Sequence, residues 1–136
     1  MNKVAIVYWS GTGNTETMAN LIAEGVKQSG GEANIFAASE FGKDLLSNYT
    51  AFAFGCPSMG SEELEDSEFK PMWDEVENLL TGKKVILFGS YGWGDGEWMR
   101  NWEEQAACEI METFICNEAP TQEQEVICRQ LGSKLV

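Results

Sequence analysis

The stretch that decides the fold is VAIVYWSGTGNT, residues 4–15. Its first six residues form a near-continuous apolar run, which is typical of a β-strand covered on both faces. A loop of hydroxyl, amide and glycine residues follows, and about residues 15–28 then have the spacing of an amphipathic helix. Backbone N–H groups at the start of a helix bind phosphate well. Because the loop contains no Lys or Arg, it predicts that a cofactor phosphate is held, not that a phosphoryl group is transferred.

Strands and helices alternate along the rest of the chain. The predicted strands are 4–9, 32–36, 51–55, 85–89 and 110–116. The predicted helices are 15–28, 43–47, one whose start is marked by Pro71, one from about Glu97 and one opened by a capping box at Thr121 and Gln124. Five such alternations predict an α/β domain with an open parallel sheet and helices on both faces. Ligands of such sheets bind outside the carboxyl ends of the strands, where loops 10–14, 57–63 and 90–96 converge.

The length, charge and composition of the chain exclude several classes of function. The chain has 136 residues, a net charge of −13 and no histidine. This length predicts a single domain, residues 1–136. The acidity argues against nucleic acid and anionic membranes as partners, and no apolar run is long enough to cross a membrane. We therefore expect a cytoplasmic protein.

The four cysteines, Cys56, Cys108, Cys116 and Cys128, lie far apart and form no C-x-x-C pair. Their spacing suggests neither a zinc site nor an iron–sulfur site. We expect them to be small buried residues in a reducing compartment.

Three loop sequences resemble those of the short-chain flavodoxins of anaerobic bacteria. They are SGTGNT at 10–15, GCPSMGSEEL at 55–64 and FGSYGWGDG at 88–96. The resemblance implies a flavodoxin-like fold, a doubly wound five-stranded parallel sheet of order 2-1-3-4-5. It also implies one non-covalent FMN and low-potential electron transfer between redox proteins, cycling mainly between neutral semiquinone and hydroquinone. The chain departs from the family around residues 104–110, where it is a few residues shorter.

The phosphate loop, residues 10–15, offers donors without cations. Ser10, Thr12, Asn14 and Thr15 supply side-chain donors, while Gly11 and Gly13 let the backbone approach closely. A buried phosphate needs either cations or many such donors. The residues by themselves also fit an ordinary β–α turn capped by Thr or Asn.

The resemblance implies further contacts to the flavin ring. Met59 and Trp93 flank its two faces, and Glu62 accepts a hydrogen bond from flavin N3–H. The peptide at Gly60 turns over on one-electron reduction, so that its carbonyl accepts a hydrogen bond from flavin N5. Trp98 is expected to pack at the rim. The remaining expected cofactor contacts are Pro57, Ser58, Ser90, Tyr91, Gly92, Gly94, Asp95 and Asn117.

Acidic residues cluster beside the expected ring site. They are Glu62, Glu63, Glu65, Asp66, Glu68 and Asp95. Their summed charge is expected to disfavour the anionic reduced flavin and to lower its second reduction potential. The cluster also suits redox partners with basic docking surfaces, although a merely solvated loop has the same composition. We expect a monomer.

Other functions remain open at this point. A small FMN-dependent oxidoreductase, similar to a quinone reductase, would act on a small molecule, but the chain has no spare length for a substrate pocket. A signalling receiver would need acidic residues and a lysine at the strand ends. A dinucleotide-binding domain would need a third glycine after Gly11-x-Gly13. The prediction is an electron-transfer flavoprotein that is not an enzyme.

Overall fold

The sheet has five parallel strands in the order β2-β1-β3-β4-β5 in a computed structural model that describes residues 2–136. The strands are β1 Lys3–Tyr8, β2 Glu32–Ala37, β3 Ala51–Gly55, β4 Lys84–Tyr91 and β5 Glu112–Asn117. The helices are α1 Asn14–Gln28, α2 Phe69–Val76, α3 Glu97–Gln105 and α4 Gln122–Lys134. The predicted fold class and strand order are therefore confirmed.

The three central strands are buried on both faces, which explains their apolar runs. Ile6 of β1 pairs with Ala53 of β3, which pairs in turn with Ile86 of β4. The three side chains therefore lie on the same face of the sheet. This face packs against α1 and α4. The opposite face, which includes Phe52 and Phe54, packs against α2 and α3. The result is a sheet with a separate core layer on each side.

Helices α1 and α4 approach each other closely at two glycines. A Cβ added at Gly25 would overlap the carbonyl oxygen of Arg129, and one added at Gly132 would overlap that of Ile22. No side chain fits between the two backbones at these points. This contact holds the first helix, and with it the loop that precedes it, against the sheet.

Several boundaries differ from those predicted. The helix predicted at 43–47 is a 3-10 helix over Lys43–Asn48, and a second 3-10 turn covers Ala38–Glu40. Strand β5 begins at Glu112, two residues later than predicted. Helix α2 begins at Phe69, so Pro71 is its third residue. Proline is tolerated there because the N–H groups of the first helical turn have no intrahelical acceptor.

The capping box at Thr121 is confirmed. Thr121 Oγ1 accepts the Gln124 N–H at 3.2 Å, and Gln124 Oε1 accepts the Thr121 N–H at 3.0 Å.

Cys56, Cys116 and Cys128 are buried, as predicted, whereas Cys108 is half-buried. Burial raises the pKa of the Cys56 thiol to about 12, which leaves it protonated and unreactive. Within residues 2–136, none of the helices combines the length and the apolar character that crossing a bilayer requires.

Candidate functional site

A cleft of about 380 Å³ opens at the carboxyl edge of the sheet. This volume is within the usual range for a small-molecule or cofactor site. The predicted residues that line it are Ser10, Gly11, Thr12, Asn14, Thr15, Pro57, Ser58, Met59, Ser90, Tyr91 and Gly92. Two further lining residues, Trp9 and Glu118, were not predicted. Loops from three strands therefore meet at one cleft.

The phosphate loop is shaped by Ser10 and Gly13. Gly13 precedes α1 with a φ of 100°, a left-handed conformation that favours glycine. Ser10 Oγ accepts the backbone N–H of Gly13 at 3.0 Å and that of Glu16 at 3.4 Å. Because the hydroxyl accepts both bonds, its own hydrogen is left to donate to a bound group.

Thr15 connects the phosphate loop to strand β4. Its side chain is 1% exposed, and Oγ1 accepts the Ser90 N–H at 3.3 Å. The Ser90 hydroxyl in turn donates to the Glu118 carbonyl at 2.7 Å. These bonds tie together the ends of three structural elements, so the floor of the cleft is fixed by the protein itself.

The 60s loop, residues 57–67, contains a tight turn at the cleft. The Glu62 N–H donates to the Met59 carbonyl at 2.8 Å, and the Met59 N–H donates to the Glu63 carbonyl at 3.0 Å. Glu62 has a φ of 51°, an uncommon conformation for a non-glycine residue. Gly60 has no left-handed φ here, and a Cβ added to it would meet nothing within 4 Å. Any need for glycine at position 60 therefore arises in another conformation of the turn.

Two polar atoms of the 60s loop are buried without a partner. Among the described residues, Ser58 Oγ and Glu62 Oε1 make no hydrogen bond. The Glu62 carboxylate lies against Gly94, where an added Cβ would be 2.6 Å from Oε1. Buried polar atoms normally have partners, so a bound group with its own donors fits this end of the cleft.

The 90s loop, residues 92–96, forms the outer rim. Trp93 is 60% exposed, which leaves much of its aromatic ring free to contact another molecule. Asp95 is exposed and pairs with Arg100 of α3 at 3.0 Å. Strand β4 runs to Tyr91, so Ser90 and Tyr91 belong to its end and not to the loop.

Several predicted residues lie outside the lining of the cleft. They are Gly13, Gly60, Glu62, Trp93, Gly94, Asp95 and Asn117. Gly13 lies between the lining residues Thr12 and Asn14, Gly60 and Trp93 directly follow the lining residues Met59 and Gly92, and Glu62, Gly94 and Asp95 lie further along the same two loops. Asn117 is exposed, and its side-chain amide donates to the Tyr91 carbonyl at 3.3 Å. Their contacts with a cofactor stay predictions.

Glu118, which sequence reasoning missed, lines the cleft directly after β5. It has a φ of 58°, and its N–H donates to the Tyr91 carbonyl at 2.8 Å. A strained non-glycine residue at a site edge is a feature that points to function. The sequence feature that could have identified Glu118 is its position just past the fifth strand, where ligands of such sheets bind.

Glu65 is not part of a solvated acidic loop, because it is only 5% exposed. Its carboxylate accepts the backbone N–H groups of Ser67, Glu68 and Phe69 at 2.8–2.9 Å, and also the Ser67 hydroxyl. Burial alone would raise the pKa of Glu65, but these hydrogen bonds together hold it below the usual range. Glu65 therefore organises the turn that leads into α2.

Trp98 is also not at the rim. It is 2% exposed, and its indole N–H donates to the Cys56 carbonyl at 3.1 Å. Its ring lies 5.7 Å from that of Tyr91. Trp98 is thus a core residue that supports the ends of β3 and β4 from below.

The chain was compared with known families, curated proteins and solved structures. Residues 6–127 match the family model described as Flavodoxin. The flavodoxin of Clostridium beijerinckii is 47% identical over 133 residues, 96% of each chain, and that of Megasphaera elsdenii is 46% identical over 132 residues, 95% of each. The solution structure of two-electron reduced Megasphaera elsdenii flavodoxin superposes with a TM-score of 0.88 at 45% identity, covering 97% of each chain. With the predicted strand order, an uncharged phosphate loop and unpartnered polar atoms at the cleft, these matches establish that the chain belongs to the flavodoxin family of FMN-binding electron carriers.

Proposed function

We propose that this chain is a low-potential one-electron carrier with no substrate of its own. It binds one FMN non-covalently in the cleft and passes electrons between redox proteins, cycling mainly between the one-electron-reduced and fully reduced forms of the cofactor. The observation that carries this proposal is the pairing of an uncharged phosphate loop with an acidic, partly open ring end. The ring end comprises residues 57–64 and 92–96.

The phosphate loop anchors the cofactor. A phosphate monoester is largely dianionic at neutral pH, and none of the described residues lining the cleft is Lys or Arg. Its charge is met by the hydroxyls of Ser10, Thr12 and Thr15, the Asn14 amide and the N–H groups at the start of α1. Such donors stabilise the phosphate without adding positive charge near the flavin.

The ring end sets the electronic environment. Bound FMN supplies the isoalloxazine ring that accepts and releases electrons. Met59 and Trp93 would cover the two faces of this ring, and the Glu62 carboxylate would accept a hydrogen bond from its N3–H. Ser58 Oγ and Glu62 Oε1, the two unpartnered buried atoms of the 60s loop, support this assignment because the cofactor would offer them hydrogen bonds.

The charge distribution opposes negative charge on the cofactor. The chain has a net charge of −13. Glu118 lines the cleft and Glu62 is hydrogen-bonded to the lining residue Met59, so an anionic reduced flavin would lie in a negative field. Neutralising several exposed carboxylates, such as Glu63 and Asp66, is expected to raise the potential of the second reduction step. The rise should be larger at low salt, because screening is weaker there.

The same charges suit the partners. Exposed carboxylates beside the ring end favour fast, salt-sensitive association with redox proteins that carry basic docking surfaces. The protein acts in the cytoplasm as a monomer, which leaves the acidic face free for successive partners.

A stepwise reductive titration of the purified protein tests the proposal. We expect a yellow protein that passes through a blue one-electron-reduced stage before bleaching. Steady-state turnover with NAD(P)H and a quinone separates a carrier from an enzyme: a carrier gives negligible turnover by itself. A colourless protein that takes up no FMN, or rapid turnover of the quinone, would overturn the proposal.

A further inference from the structure

Trp9 is the first residue after β1 and directly precedes the SGTGNT motif. Its backbone N–H donates to the Gly55 carbonyl at 3.0 Å, which fixes its main chain to β3. Its half-buried ring lines the cleft. The ring also lies against Gly11 of the phosphate loop: the two atoms within 4 Å of a Cβ added there, at 3.3 and 3.4 Å, both belong to it.

The orientation of this ring is fixed by a hydrogen bond to Glu68, 59 residues further along the chain. The Trp9 indole N–H donates to Glu68 Oε1 at 2.9 Å. Glu68 directly precedes α2, and its own backbone N–H donates to the buried Glu65 carboxylate at 2.8 Å. Its side chain makes no capping bond to α2. One continuous series of contacts therefore runs from Glu65 through Glu68 and Trp9 to Gly11.

We propose that Trp9 and Glu68 form a clasp that holds the phosphate loop in its binding shape before the cofactor enters. The proposal rests on the proposed function, in which this loop binds the FMN phosphate. Gly11 and Thr12 are exposed at the tip of the loop, and a glycine-rich tip loses much conformational freedom when it closes on a ligand. Packing the Trp9 ring against Gly11 removes part of that freedom in advance, which strengthens binding by preorganisation.

Electrostatics alone predicts the opposite effect of removing Glu68 on phosphate binding. Glu68 carries a negative charge on the side of a site that binds a dianion. If only electrostatics mattered, its removal would tighten phosphate binding. The clasp requires that removal of the Glu68 acceptor weakens binding, although a repulsive charge has gone.

The test measures dissociation constants of the flavin-free protein for FMN and for riboflavin, which lacks the phosphate, by quenching of flavin fluorescence. Trp9→Phe keeps an aromatic ring but removes the N–H and shortens the ring edge that lies against Gly11. Glu68→Ala removes the acceptor, and Glu68→Gln removes the charge but keeps an acceptor oxygen. Asp66→Ala is the matched control, because it removes an exposed carboxylate two residues away without touching Trp9.

We expect Trp9→Phe and Glu68→Ala each to weaken FMN binding about three- to tenfold, the range of one hydrogen bond. Riboflavin binding should change less than twofold. The double variant should bind no more weakly than Trp9→Phe alone, since both changes remove the same bond. Glu68→Gln and Asp66→Ala should bind FMN as well as the unaltered protein or better.

Three results would overturn the clasp alone, with the unaltered protein still preferring FMN over riboflavin. They are equal weakening of both flavins, tighter FMN binding by Glu68→Ala, and additive effects in the double variant. If the unaltered protein does not prefer FMN, the proposed function fails and the clasp fails with it.

Discussion

The phosphate loop and the ring end of the cleft satisfy their polar groups in opposite ways. At the phosphate loop, Ser10 and Thr15 are already hydrogen-bonded to the protein, and Thr15 is almost fully buried. At the ring end, Ser58 and Glu62 have buried atoms without partners, and Trp93 is largely exposed. The phosphate loop is therefore a preformed anchor, whereas the buried polar atoms of the ring end would gain partners only from a bound ligand. The predictions below test that contrast.

The largest effect is expected at Glu65, which organises the turn between the ring end and α2. Glu65→Gln replaces a carboxylate that accepts four hydrogen bonds with an amide that cannot accept them all, at a cost of about 2–3 kcal/mol in the free energy of unfolding. Urea denaturation at neutral pH measures this loss. Asp66→Asn, an exposed neighbour, should change stability by less than about 0.5 kcal/mol.

Glu65 also predicts a pH dependence. Because its folded pKa is lowered, its contribution is fully present above the ordinary value of 4.5 and is lost as the pH falls from there through the folded pKa. The stability difference between the protein and Glu65→Gln should shrink over that range of pH. A difference that stays constant down to the folded pKa would show that the carboxylate charge is not what stabilises the turn.

The next effect is expected at the anchor. Thr15→Val keeps the shape of the side chain but leaves the Ser90 N–H without its acceptor, which costs about 1–3 kcal/mol of stability. FMN affinity should also fall by more than riboflavin affinity. Thr12→Val is the matched control, because Thr12 is exposed: it should weaken FMN binding and leave unfolding unchanged. Equal losses of stability in both variants would contradict a preformed anchor.

Replacing Gly13 of the phosphate loop and replacing Gly60 of the ring end should affect different properties of the protein. Gly13→Ala places a side chain at a φ of 100° and should cost about 1–2 kcal/mol, although nothing lies within 4 Å of the new Cβ. Gly60→Ala, without a left-handed φ, should leave the unfolding free energy almost unchanged. It should instead lower the potential of the first reduction step if the peptide at position 60 turns over on reduction, because the turned-over conformation would need glycine. Unchanged accumulation of the one-electron-reduced form in a redox titration would refute that role.

The smallest effect on the protein itself is expected at Trp93. Trp93→Ala removes a side chain that is 60% exposed, so the unfolding free energy should change by less than about 0.5 kcal/mol. FMN and riboflavin binding should weaken by the same factor, because the proposed role places the Trp93 ring against the isoalloxazine that both flavins share. A selective loss of FMN binding would place Trp93 at the phosphate and not at the ring.

The sequence predicted most of the framework because its signals are local. Apolar runs marked the central strands β1, β3 and β4, the alternation of strands and helices indicated β2 and β5, and the loop motifs marked most of the cleft. The sequence did not reveal that Glu65 is buried, because an acidic run looks alike whether its carboxylates meet water or backbone N–H groups. Trp9 and Glu118 were missed for a related reason. Their roles depend on Glu68 and Tyr91, residues 59 and 27 positions away in the chain.

The most direct test of the uncharged anchor is the salt dependence of flavin binding. The flavin-free protein is titrated with FMN and with riboflavin at low and at high ionic strength. We predict that FMN binds at least about 100-fold more tightly than riboflavin, which corresponds to about 2.7 kcal/mol from the phosphate. Because the phosphate meets only neutral donors inside an acidic protein, raising the salt should leave FMN affinity unchanged or increase it. An FMN affinity that falls steeply with salt, or one equal to that of riboflavin, would contradict the account.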